Sequence, residues 1–207
     1  MADMWSDEGL PTLHFHITQL LTRYARAVDR PDFGLLRTLF HPDAVDEHGF
    51  TAGDLEEFID SYSHRSALVQ EMMHVNTNTL ILDRDHRTRE ALVETYCVAW
   101  NRVLAEDVVP GSLHDSPLIP IDSPHDRVAT IANRYLDLIA ERDGQLRFLF
   151  RRVVFEWVTV AEISPVSPFG PAMRRSSRDS TDPSHQTLAS VRRDYLLRRA
   201  EVHPGAS

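Results

Sequence analysis

The 207 residues, 42% hydrophobic and 26% charged, have the composition of a globular protein able to build a sizeable core. A net charge of -9 is the wrong sign for neutralising phosphates, which excludes broad nucleic-acid binding, and no apolar run approaches the roughly 20 residues of a membrane span. One cysteine, Cys97, excludes an internal disulfide framework and any multi-cysteine zinc site.

The first residues are acidic, unlike the basic start of a secretory signal, so the expected location is cytoplasmic. Residues 12–29 then carry apolar groups at Ile17, Leu20, Leu21, Tyr24 and Val28, the spacing of one helical face. That spacing sends Asp29 toward the core. Pro31 breaks the helix, and Phe33, Leu36, Leu39 and Phe40 continue a shorter one until His41-Pro42 stops it. A strand-like run over 44–48 follows, with turns marked by Gly49 and Gly53. Asp54 with Glu57 three residues later reads as a capping box, opening a third helix with Leu55, Phe58, Ile59 and Tyr62 inward.

From His74 the pattern becomes that of strands: 74–82, a turn at 83–86, then 88–103, where Cys97 reads as a small buried hydrophobe. Residues 104–126, with Pro110, Pro117, Pro120 and Pro124, read as a loop or lid. Strand character returns over 127–141, Arg142-Asp143-Gly144 is a hairpin turn, and 145–160 closes the series. Helices followed by a run of antiparallel strands predict an α+β domain over residues 1–161, with helices covering one face of a curved sheet. Residues 162–207 form a Ser/Pro/Arg-rich extension with a short helix near 186–200. Its arginine clusters, Arg174-Arg175 and Arg192, Arg193, Arg198 and Arg199, read as solvated faces.

The segments Tyr24-Ala-Arg-Ala-Val-Asp29-Arg, Leu39-Phe-His-Pro-Asp-Ala-Val-Asp46, His74-Val-Asn-Thr-Asn, Val93-Glu-Thr-Tyr96 and Arg151-Arg-Val-Val-Phe-Glu-Trp157 together resemble the SnoaL-like family of the nuclear transport factor 2-like superfamily. The resemblance covers about residues 10–160. It implies a cone-shaped α+β barrel, in which a bent antiparallel sheet wraps a deep pocket and N-terminal helices close the mouth. Scytalone dehydratase, bile acid 7α-dehydratase and hexachlorocyclohexane dehydrochlorinase belong to that superfamily, beside members without known chemistry. In those enzymes an aspartate ending the first long helix pairs with a histidine opening a central strand, which Asp29 and His74 match. Tyr24 is similar in position to a tyrosine of the bile acid enzyme, and Arg151 or Arg152 to an arginine on the last strand. Strand register decides which arginine faces the pocket. The second histidine of scytalone dehydratase is absent, with Glu94, Tyr96 and Cys97 in the comparable segment.

These residues suit β-elimination or isomerisation of a small apolar molecule such as a steroid, terpenoid or polyketide. His74 would take a proton, Asp29 would fix its tautomer, Tyr24 would donate to an oxygen, and an arginine would hold developing negative charge. No cofactor is required. His41, Asp43, Asp46 and His48 invite a metal, but Pro42 separates His41 from the face that Asp46 and His48 share, and no metal is expected. The alternative is a non-catalytic ligand-binding or accessory subunit on the same fold. Under either reading the outer sheet face predicts a homodimer or homotrimer.

Overall fold

In the computed structural model, which describes residues 3–49, 52–66, 69–103, 125–163, 170 and 173–202, helix α1 spans Leu10–Asp29. Pro11 lies in its first turn, where a missing N–H costs nothing. Leu13, Ile17, Leu20, Leu21, Tyr24 and Val28 are all buried, so the helical spacing becomes the face laid on the sheet. Gly9 caps the start because the N-terminal turn approaches closely: a Cβ there would fall 2.0 Å from the Asp3 carbonyl oxygen. That turn also buries Trp5, whose indole N–H donates to Glu141 at 2.6 Å, a core contribution the sequence reading did not find.

After Pro31, α2 (Phe33–Leu39) begins at Asp32, whose carboxylate accepts the Leu35 N–H. Strand β1 (Phe40–Glu47) starts four residues earlier than the predicted strand and includes Pro42. Its pairing shifts between Phe40 and Val45, so Pro42 lies at an irregularity that does not need its missing donor. A short β2 (Ala52–Asp54) places Gly53 in a strand instead of a turn. The capping box forms as predicted: Asp54 accepts the N–H groups of Glu56 and Glu57, and Glu57 accepts that of Asp54. It opens α3 (Leu55–Ser66), with Leu55, Phe58 and Ile59 buried.

Four long strands follow: β3 (Glu71–Asp85), β4 (Glu90–Val103), β5 (Arg127–Arg142) and β6 (Gln145–Glu162). The β3–β4 turn falls at 86–89, three residues later than predicted, with Asp85 accepting the Arg87 N–H. The β5–β6 turn has positive φ at both Asp143 and Gly144, the geometry that favours an Asp-Gly hairpin. Most of the predicted 104–126 loop, residues 104–124, lies outside the described residues.

The sheet order is β2-β1-β6-β5-β4-β3. Every pairing is antiparallel except β1 with β6, which is parallel and joins strands separated in the chain by α3 and four strands, β2 to β5. Register shifts in β3 and at two points of the β5–β6 pairing bend the strands, and the open sheet curves around α1. One face of the curve holds Val93, Cys97, Tyr135, Ile139 and Phe148 against the helices. The other exposes Met73, Leu92, Tyr96 and Trp157. Residues 173–187 return along the end of α1, through a 3-10 turn at Pro183–His185, and α4 (Leu188–Val202) follows with Leu188, Tyr195 and Leu197 exposed.

Candidate active site

Asp29 is the last residue of α1, and His74 lies on the inward side of β3, opposite Ala99 of β4. Their contact is two-pronged. The Asp29 Oδ1 lies 2.7 Å from His74 Nδ1, and Oδ2 accepts the His74 backbone N–H at 3.0 Å. With both carboxylate oxygens engaged, the imidazole is held from Nδ1. Nε2 has no hydrogen-bond partner among the described residues. Each side chain retains 14% exposure, enough to be reached and too little to be bathed in solvent. Asn76, two residues along the same inward face, donates to the Leu21 carbonyl and ties this stretch of β3 to the middle of α1.

Helix α1 ends with a carboxylate where the macrodipole is negative, so the end must be well supplied with donors. All four terminal carbonyls have one. Arg26 O accepts from the Arg30 N–H, Ala27 O from the Asp32 N–H, Val28 O from the Tyr62 hydroxyl at 2.6 Å, and Asp29 O from Arg30 Nη1. Burial pushes the Tyr62 phenol up, so it stays protonated and can donate. Tyr62 and Arg178, which also reaches this helix end, are partners the sequence reading did not assign. Tyr62 was legible only as a helix-spaced core position, and Arg178 has no local signal at all.

Tyr24 and Arg151 come together elsewhere. Arg151 is inward and fully buried, with Nε and Nη2 each 2.8 Å from a different oxygen of Asp137. Its guanidinium carbon sits 3.9 Å from the Tyr24 ring centroid, 4.2 Å from that of Tyr135 and 4.3 Å from that of Phe148. Burial opposes the charge on Arg151, and the Asp137 carboxylate overrides it, holding the guanidinium above its ordinary value. Burial also pushes the Tyr24 phenol well up. The strand pairing aligns Asp46 of β1, Arg151 of β6 and Asp137 of β5 in one row. Asp46 is buried as well and accepts from His48, which stacks on Phe58.

Arg152 points the other way, half-exposed and paired with Glu47. His41, buried in β1, has Nε2 2.9 Å from the Ala140 carbonyl oxygen. Asp43 is exposed and paired with Arg142. Among the described residues no three His, Cys, Asp or Glu side chains converge as metal ligands. Cys97 is buried, which pushes its thiol up and disfavours a thiolate nucleophile.

N-terminal helices with an open, curved six-stranded sheet make this the nuclear transport factor 2-like class of α+β cone. Residues 14–152 match the SnoaL-like domain model, and the chain belongs to that family. A hexachlorocyclohexane dehydrochlorinase, LinA-type3, from Novosphingobium barchaimii is similar in structure at a TM-score of 0.60 and 15% identity, covering 80% of this chain and all of its own. A second hexachlorocyclohexane dehydrochlorinase, LinA Type2, gives a TM-score of 0.61 at 15% identity over 81% of this chain and 100% of that one. A protein of unknown function from Mycobacterium tuberculosis gives 0.56 at 15% identity over 75% and 78%. At these identities the likeness is one of fold. Curated protein sequences contain no match, and among the described residues no helix is long and apolar enough to cross a membrane.

Proposed function

We propose that this chain is a cofactor-independent lyase or isomerase that abstracts a proton from carbon in a small, largely apolar molecule such as a steroid, terpenoid or polyketide. The observation that carries the reading is the 2.7 Å contact between Asp29 and His74 Nδ1, which leaves Nε2 as the base. In an elimination, neutral His74 takes the proton and the C–H electron pair becomes the new double bond. The leaving group departs with its own pair. Asp29 fixes the Nδ1–H tautomer and offsets the charge of the imidazolium that forms. The two neighbours named as dehydrochlorinases have a fold suited to such an elimination.

Tyr24 and Arg151 enter this reading as the polar floor of the cone, and Arg152, facing outward, has no part in it. Turnover of a panel of elimination and isomerisation substrates by the parent chain, Asp29→Asn and His74→Ala tests the base. A substrate turned over equally well by all three would sink it. Tyr24→Phe separates floor from donor: lost turnover with unchanged stability would make the phenol a proton donor.

The second reading, a ligand-binding or accessory subunit, draws on the filling of the cone's interior by Tyr24, Phe40, Tyr135 and Phe148. Both readings include a homodimer or homotrimer through the outer sheet face, where Met73, Tyr96 and Trp157 are about half exposed. Sedimentation of the parent chain as a monomer at micromolar concentration would remove that expectation.

A further inference from the structure

From outside the matched domain, Arg178 of the C-terminal extension reaches the main chain of Asp29 and the segments around it. Arg178 Nη1 donates to the Ser66 carbonyl at 2.7 Å and to the Val69 carbonyl at 2.6 Å. Nη2 reaches Val28 O at 3.3 Å, Ser66 Oγ at 3.1 Å and the Tyr62 hydroxyl oxygen at 3.4 Å, while Nε reaches Asp29 O at 3.3 Å. These acceptors belong to three places: the last two residues of α1, the end of α3, and the lead into β3. Asp29 is carried by the first and His74 by the strand that follows the third. A planar fork with donors in fixed directions can hold such a set in register, whereas a lysine ammonium on a flexible stem cannot.

The strap that brings Arg178 here is itself pinned. Asp182 accepts from Arg30 Nε at 3.0 Å and from the Ser177 N–H at 2.9 Å, and Ser184 accepts from Arg26. Tyr62 links the two systems, since its oxygen receives from Arg178 while its proton goes to Val28 O. Arg178 also puts a cation at a helix end that carries both the negative pole of the macrodipole and the Asp29 carboxylate. Asp29, Tyr62 and Arg30 are the charged or titratable groups that act on it most, and Glu71 of β3 and Arg102 of β4 line the same cavity.

We infer that Arg178 is a positioning residue for the Asp29–His74 pair, clamping the end of α1 to the start of β3 so that the carboxylate meets Nδ1. The inference rests on the proposed base, but its test needs no substrate. Nitrogen-15 NMR of the full chain reads the tautomer of His74 directly. The parent chain should show Nδ1–H, and Arg178→Ala should lower the ratio of Nδ1–H to Nε2–H about tenfold, the consequence of losing one charge-assisted hydrogen bond. Arg178→Lys should behave as the alanine variant does, because charge alone cannot span the three sites. It also decides the matter if Arg178→Ala fails to fold by circular dichroism.

Asp29→Asn separates the two ideas. An unchanged tautomer in Asp29→Asn would overturn the dyad itself, and the clamp with it. A tautomer altered in Asp29→Asn but retained in the folded Arg178 variants would overturn the clamp and leave the dyad standing.

Discussion

Asp29 and Asp137 are both inward carboxylates of one cone, yet Asp29 meets an imidazole at 14% exposure whereas Asp137 meets a guanidinium with none. Asp137 spends both oxygens on a permanent cation walled by three aromatic rings, so its pair is structural in the strict sense that neither member can change charge without exposing the other. Asp29 spends one oxygen on a ring nitrogen and one on the backbone of the same residue. Its partner is an imidazole and not a permanent cation. On the proposed reading, the kind of cation and the access to it separate a group that builds the fold from one that reacts.

The sharpest way to break the comparison is at the sealed pair. Arg151→Ala should cost about 3–5 kcal/mol, since it leaves Asp137 buried without its cation, and a urea midpoint close to the parent's would contradict this. Replacing both residues by apolar ones of similar volume should recover most of that loss. At the half-open pair the large effect should be on chemistry. Asp29→Asn should lower turnover on the order of 10²–10⁴-fold with a smaller change in stability, which steady-state kinetics beside denaturant unfolding would measure.

Acid should act next, on the strap. Burial pushes Asp182 up, but the Ser184 hydroxyl, the Ser184 and Ser177 N–H groups and Arg30 outweigh it, holding the carboxyl below the ordinary carboxylate range. With its folded pKa depressed, Asp182 contributes stability that is present above the unfolded value and is lost as pH falls through the folded one. Faster hydrogen exchange at Ser177 and Ser184 should therefore appear only in strong acid, and Asp182→Asn should bring it to neutral pH. The smallest effect belongs to Arg152→Ala, whose pair with Glu47 is half-exposed: stability should stay within about 0.5 kcal/mol of the parent by thermal unfolding.

Local signals made much of this molecule readable. The apolar spacing of α1, the Asp54–Glu57 capping box, the Asp143-Gly144 turn and the alternation in β4 and β5 each act over a few residues, and each appears where its pattern puts it. Pro42 and Gly53 are single-residue break signals, but pairing irregularity and neighbouring strands decide whether a strand tolerates them, and both lie in strands. Asp137 left a trace, a charge in the buried phase of an alternating strand, but its partner fourteen residues away could be named only once β5 and β6 were in register.

The sequence alone determined the long elements, the inward direction of Asp29 and the acid and imidazole available to pair, because periodicity and capping are properties of neighbouring residues. Three matters waited for the tertiary structure. Register chose Arg151 over Arg152, since a slip of one residue exchanges the two faces of a strand. Sheet curvature brought β3 to the end of α1, closing the 45 residues between Asp29 and His74 to a hydrogen bond. The return of the C-terminal strap placed Arg178 at the same helix end, a contact across about 150 residues that no local pattern encodes, because only the packed chain brings its acceptors together.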